Sequence, residues 1–176
     1  MCVTAHLGVI RLEKGDISLR HLRRRSAREW AALIAWIVTA GGGFVLLAIW
    51  LSRGGMRQRA GQRLIKPPLI LGHFLIAAGG LVVWIAYVAT DSDALGWIAL
   101  AVLGVVALLG FTMFAIWASQ RQQPAVAPAG SAPGGGGAPG APAEQHFPVA
   151  IVVLHGLLAV TTVALVFLTD IGVGGS

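Results

Sequence analysis

Charge is scarce in this chain. Asp, Glu, Lys and Arg together make up 11% of its 176 residues, against about 25% in an ordinary soluble domain. Cysteine occurs once, as Cys2, which excludes a disulfide framework and a cysteine-built metal site. Only 7 residues are acidic, and none lies inside a long apolar run. Ion-coupled transport ordinarily needs such residues within the membrane. A hydrolase needs a nucleophile, a base and an orienting carboxylate. Ser52 and Ser119 end apolar runs with no acidic neighbour, and the Gly134–Gly137 run has no following Lys-Ser/Thr to make a phosphate loop. No hydrolase or transferase constellation is present.

What fills the chain instead is apolar. Hydrophobic residues make up 56% and the mean hydropathy is +0.79. They fall in four blocks: 30–51, 68–90, 95–118 and 147–170, the last closing on Asp170. Each is long enough to cross a bilayer core as a helix at about 1.5 Å per residue. The expectation is an all-α membrane protein, a multi-pass four-helix transmembrane bundle in the plasma membrane. Residues 1–29 form a basic N-terminal segment, and 171–176 a short tail. Arg23, Arg24 and Arg25 precede the first block as they would in a signal peptide, but the block is too long and no small-x-small cleavage motif follows. A retained anchor is expected. The stretch 119–146 is rich in Pro, Gly and Ala without periodicity and reads as a disordered tether. The net charge of +6 sits outside the apolar blocks. With no soluble domain to present a basic surface, its partner is the lipid bilayer and not nucleic acid.

The blocks repeat. GFVLLAIWLSR begins at Gly43 and GFTMFAIWASQR at Gly110, an offset of 67 residues. The same offset pairs Trp30 with Trp97, Leu33 with Leu100, Phe44 with Phe111 and Trp50 with Trp117. In the other two blocks HFLIA begins at His73 and HGLLA at His155, an offset of 82, and the linker accounts for the extra residues. This pattern implies a tandem duplication of a two-span hairpin. Because each unit has an even number of spans, the copies are parallel repeats about an axis along the membrane normal. The tryptophans at the block ends read as interfacial anchors.

A histidine inside a span is costly without a partner and is a candidate functional residue. His73 lies about 8 Å beyond Pro68 and His155 about 10 Å beyond Pro148 at helical rise, so the two share one depth. Opposed neutral imidazoles suit axial ligation of one haem iron. Gly43 and Gly110 fall near that depth and leave room for a flat macrocycle, with Phe44 and Phe111 available to pack on it. Two other readings stay open. Each histidine bonds a backbone carbonyl or a hydroxyl, Thr161 and Thr162 being near, or the pair binds copper or zinc with His146 as a third ligand.

With His73, His155 and the hairpin repeat, the chain resembles the cytochrome b561-like membrane proteins, in which a four-helix bundle holds haem b between histidines on different helices. The resemblance implies haem b as cofactor, His73 and His155 as iron ligands, and a role as an electron-transfer or accessory subunit beside other membrane redox subunits or a second copy. That family carries two histidines on each of two helices and two haems. Here each helix has one, so a single haem is implied. A haem-free structural or assembly subunit of a larger membrane complex is the other function considered.

Orientation follows from basic residues. Arg53, Arg57, Arg59, Arg63 and Lys66 fill the loop between the first two spans, while Arg11 to Arg28 lie on the opposite side of span one. The two segments pull against each other. The Arg-rich loop is placed in the cytoplasm, with the histidines toward that face. A reporter fused after Ser176 is then active outside the cytoplasm. A cytoplasmic signal there reverses the assignment.

Overall fold

The computed structural model describes residues 3–58, 64–122 and 142–172. Four helices make up the fold: α1 Val3–Ser52, α2 Pro67–Thr90, α3 Asp93–Gln122 and α4 Val149–Asp170, with a short 3-10 turn over Ala143–His146 before α4. There is no strand among the described residues. The segments Ala27–Ser52, Pro67–Thr90, Asp93–Arg121 and Val149–Asp170 are each long and apolar enough to cross a membrane. The chain is a multi-pass membrane protein built as an all-α bundle.

Local chemistry sets the helix ends. Pro67 and Pro68 open α2 after extended Lys66, where their missing N–H groups cost nothing. Asp91 closes it in the left-handed region at φ 54°, its N–H donating to the Tyr87 carbonyl at 2.8 Å, and α3 starts at Asp93. After α1 the chain turns at Gly54, φ 76°, and Gly55 lies against the indole of Trp50, where any Cβ would collide with the ring. The basic N-terminal segment continues α1 without a break from Val3. At the linker, residues 119–122 prolong α3 and 143–146 form the 3-10 turn. The rest of the expected tether, 123–141, lies outside the described residues.

The helices run antiparallel around a square in the order α1, α2, α3, α4. The closest pairs are α1 with α4 and α2 with α3, while α1–α2 and α3–α4 touch less. Each hairpin therefore packs mainly against its copy and not on itself. Lipid tails are as apolar as the helices, so close backbone approach and side-chain packing drive the association. Glycines permit that approach. A Cβ at Gly80 would meet Val102 at 2.9 Å and Trp36 at 3.0 Å.

Burial repeats with the sequence offsets. In α1 the buried positions include 29, 32, 36, 39 and 50, and in α3 they include 96, 99, 103, 106 and 117, all 67 residues on. In α2 they are 80, 84 and 87, and in α4 they are 162, 166 and 169, all 82 residues on. The densest cluster, Ala32, Leu33, Trp36, Trp84, Tyr87, Ala99, Leu103 and Val166, sits at the end where α1 enters the bundle. The other half is looser. No residue in 40–49, 66–79, 107–116 or 149–161 is fully buried.

The tryptophans divide. Trp30 and Trp97 are 53% and 52% exposed, as lipid-interface anchors are. Trp50 and Trp117 are not anchors of that kind, being only 0% and 6% exposed. Trp50 Nε1 donates to Oε1 of fully buried Glu144 at 3.0 Å. That carboxylate comes from the 3-10 turn and gives the indole its inward partner.

Gly80→Val overpacks the contact with Val102 and Trp36 and is expected to destabilise the bundle by about 1–3 kcal/mol. Gly79, with open space around it, takes Ala without loss. Thermal unfolding in detergent followed by circular dichroism separates the two variants.

Candidate functional site

The two intramembrane histidines meet. His73 on α2 and His155 on α4 have ring centres 6.5 Å apart with planes 70° to one another. They lie in the looser half of the bundle, between the layer of Thr39, Val106 and Thr162 and the layer of Trp50 and Trp117.

Each ring is held the same way. His155 Nδ1 is 3.0 Å from the carbonyl oxygen of Thr39, and His73 Nδ1 is 3.1 Å from that of Val106. Positions 39 and 106 are repeat equivalents. A carbonyl can only accept, so Nδ1 carries the proton and donates. In a neutral ring this leaves the Nε2 lone pair as the free coordinating group.

The glycines explain why those carbonyls are reachable. In an α-helix the carbonyl of residue i accepts from the N–H of i+4, which here is Gly43 or Gly110. A second lone pair remains on the oxygen, and a side chain at i+4 would obstruct it. A Cβ on Gly43 would come within 3.0 Å of His155 Cε1, and one on Gly110 within 3.3 Å of His73 Cε1. Gly42 adds a contact at 3.5 Å to His155 Nδ1. These glycines make room for the imidazoles themselves, so the gap expected for a macrocycle is not what they provide directly.

Phe44 and Phe111 are 61% and 63% exposed. They point to the lipid-facing surface, away from the rings, because one residue of helix turns the side chain by about 100° from its neighbour. His146 does not join the pair. Its Nδ1 is buried without a hydrogen-bond partner, and no group of three or more His, Cys, Asp or Glu side chains comes together among the described residues. Thr161 and Thr162 do not bond the histidines either. They donate to the carbonyls of Leu157 and Leu158. Thr162 Oγ1 also lies 3.1 Å from Thr39 Oγ1, tying α4 to α1 two turns beyond His155. The repeat equivalents of that pair are Val106 and Gly80, so the His73 side has no such tie.

Thr39 and Val106 as acceptors escaped the reading of residue types, since a backbone carbonyl has no signature of its own. Their signal is positional: each stands four residues before a paired glycine. No protein-family model, curated protein or solved structure matches this chain.

The arrangement has one chemical capacity. Two imidazole lone pairs, from two helices related by the pseudo-two-fold, are available at the bundle axis while their other nitrogens are satisfied. Both rings are therefore expected to be Nδ1–H tautomers. Nitrogen-15 NMR of histidine-labelled protein in detergent should show two neutral Nδ1–H rings. An Nε2–H tautomer at either position contradicts the hydrogen bonds described.

Proposed function

We propose that His73 and His155 are the axial ligands of a single haem b and that the protein is an electron-transfer or accessory redox subunit. The observation that carries this reading is the pairing of two Nδ1-anchored imidazoles across the bundle axis. A ligating histidine characteristically donates its second ring N–H to a carbonyl or carboxylate, which fixes the ring and raises its basicity. Imidazoles on opposite sides of one ion, at about 2 Å from nitrogen to metal, have ring centres roughly 6 Å apart. The observed separation of 6.5 Å is compatible with that span.

Bound haem would supply one-electron chemistry at its iron. The chain's own residues do the positioning. Thr39 and Val106 carbonyls orient the rings, and Gly42, Gly43 and Gly110 let them reach those carbonyls. The 3-10 turn, pinned by Glu144 to Trp50, covers the nearby end of α1. A single haem held there, at the end nearer the Arg-rich loop, would serve electron exchange at that face and would not by itself relay electrons across the membrane.

A second reading rests on the same hydrogen bonds. They already satisfy each histidine as an interhelical clip, as they would in a haem-free structural or assembly subunit. A reduced-minus-oxidised absorption spectrum of detergent-purified protein distinguishes the two. The first requires a b-type Soret and α band, abolished by either His73→Ala or His155→Ala. A spectrum without those bands, or one that survives in both variants, removes it.

A further inference from the structure

The second copy of the repeat differs from the first where α3 leaves the membrane. At the end of α1, Trp50 has its indole N–H bonded to Glu144 and its face covered by Gly55. The equivalent Trp117 is 6% exposed, and its Nε1 is buried with no hydrogen-bond partner. Arg121 lies over its ring, 4.7 Å from Cζ to the centroid, and donates from Nη2 to the Phe147 carbonyl at 3.2 Å. At offset 67 the counterpart of Arg121 is Gly54, so the first copy has no such cation.

Beside this pair opens a cavity of about 240 Å³ lined by Leu64, Trp117, Gln120, Arg121 and Gln145. Its polar groups are one guanidinium and two amides, and no acidic side chain lines it. The nearby carboxylate, Glu144, is fully buried and does not line the cavity; its Oε1 accepts from Trp50, and its Oε2 is buried without a hydrogen-bond partner. Arg121 is the last residue of the third membrane-crossing segment, which puts the cavity at the bilayer boundary. Below it Phe114 packs on Trp117 at 5.9 Å between ring centres. Phe114 and then Phe111, at helical spacing on the same side of α3, are 46% and 63% exposed. The result is a cation with amide donors at headgroup level and an aromatic track running into the acyl region.

We infer that this cavity is a site for the phosphodiester headgroup of an anionic phospholipid, with one acyl chain along Trp117, Phe114 and Phe111. Guanidinium and amide N–H groups donate to phosphate oxygens, and basic pockets at the membrane boundary hold such headgroups. The inference does not depend on haem.

The test is native mass spectrometry of the full chain in mixed micelles of detergent with phosphatidylglycerol or phosphatidylcholine of the same acyl chains. One phosphatidylglycerol per chain should be retained in preference to phosphatidylcholine. Arg121→Gln, which keeps a donor for the Phe147 carbonyl, should lower retention about fivefold. Arg53→Gln, at the same end but outside the cavity, should leave it unchanged. Inorganic phosphate should not displace the lipid. Equal retention of the two lipids, retention unchanged in Arg121→Gln, equal loss in Arg53→Gln, or displacement by phosphate each overturns the proposal. Circular dichroism checks the fold of each variant. Should Arg121→Gln unfold, Gln120→Ala replaces it, because that side chain is exposed and its removal leaves the packing intact. No loss of lipid in that variant also overturns the proposal.

Discussion

The bundle depends on a backbone oxygen that accepts twice. Inside a membrane a histidine N–H has no water to bond and must find an acceptor in the protein. The carboxylates within the spans, Glu29, Asp93 and Asp170, lie toward the other end of the bundle, so the acceptors are the carbonyls of Thr39 and Val106. These oxygens already belong to the helical ladder. Glycine four positions on leaves them open to the imidazoles, since a Cβ there would crowd His155 Cε1 at 3.0 Å and His73 Cε1 at 3.3 Å. An interhelical bond of this kind is worth about 1–2 kcal/mol in a membrane at most, but it also decides geometry. It fixes the distance between α1 and α4 and between α2 and α3, and it selects the tautomer that turns the Nε2 lone pairs into the only free polar groups on the rings.

The same constraint explains why the hairpins exchange faces. The histidine of each copy reaches the carbonyl of the other copy, never its own: α4 reaches α1, and α2 reaches α3. Gly80 works in the same direction by admitting Val102 of the other copy. The dense cluster at the far end then fills the space between pairs that are already set. There the copies have diverged in size, with Trp36 and Trp84 facing Leu103 and Val166 at equivalent positions. Large residues in one copy oppose small ones in the other, so the layer packs without a true symmetry axis through it.

How much of this was legible depended on what hydropathy can sense. The four spans, their hairpin repeat and the common depth of His73 and His155 came from block length, rare residues and helical rise, quantities that a linear chain carries. The inward turn of Trp50 and the outward turn of Phe44 did not. Both are large and aromatic, and in a membrane the lipid face and the protein face are equally apolar. Amphipathic patterning, which sorts the faces of a soluble helix, has little to work on here. Glu144 illustrates the converse. It looked like part of a polar tether, yet its carboxylate reaches Trp50 and brings the 3-10 turn onto α1. The pairing of each hairpin with its copy was equally hidden, because short loops suggest that sequence neighbours are the closest partners.

A site on a pseudo-two-fold axis has an economy that the duplication makes clear. Any residue near the axis in one copy is matched by its equivalent in the other, so one histidine per hairpin suffices to make a facing pair. The same logic forbids a second identical site elsewhere, since positions off the axis do not meet their equivalents. Off-axis features are thus free to diverge, and they have done so. The Thr39–Thr162 tie exists beside His155 alone. The carboxylate cap covers Trp50 alone, and the arginine lies over Trp117 alone. Of the positions the two copies keep in common, which also include Trp30 with Trp97, Phe44 with Phe111 and Trp50 with Trp117, Gly43 with Gly110, the carbonyls of positions 39 and 106 and the histidines they hold are the set that the axis brings together. Because these equivalents meet, with the two rings 6.5 Å apart, the histidine pair carries the functional reading.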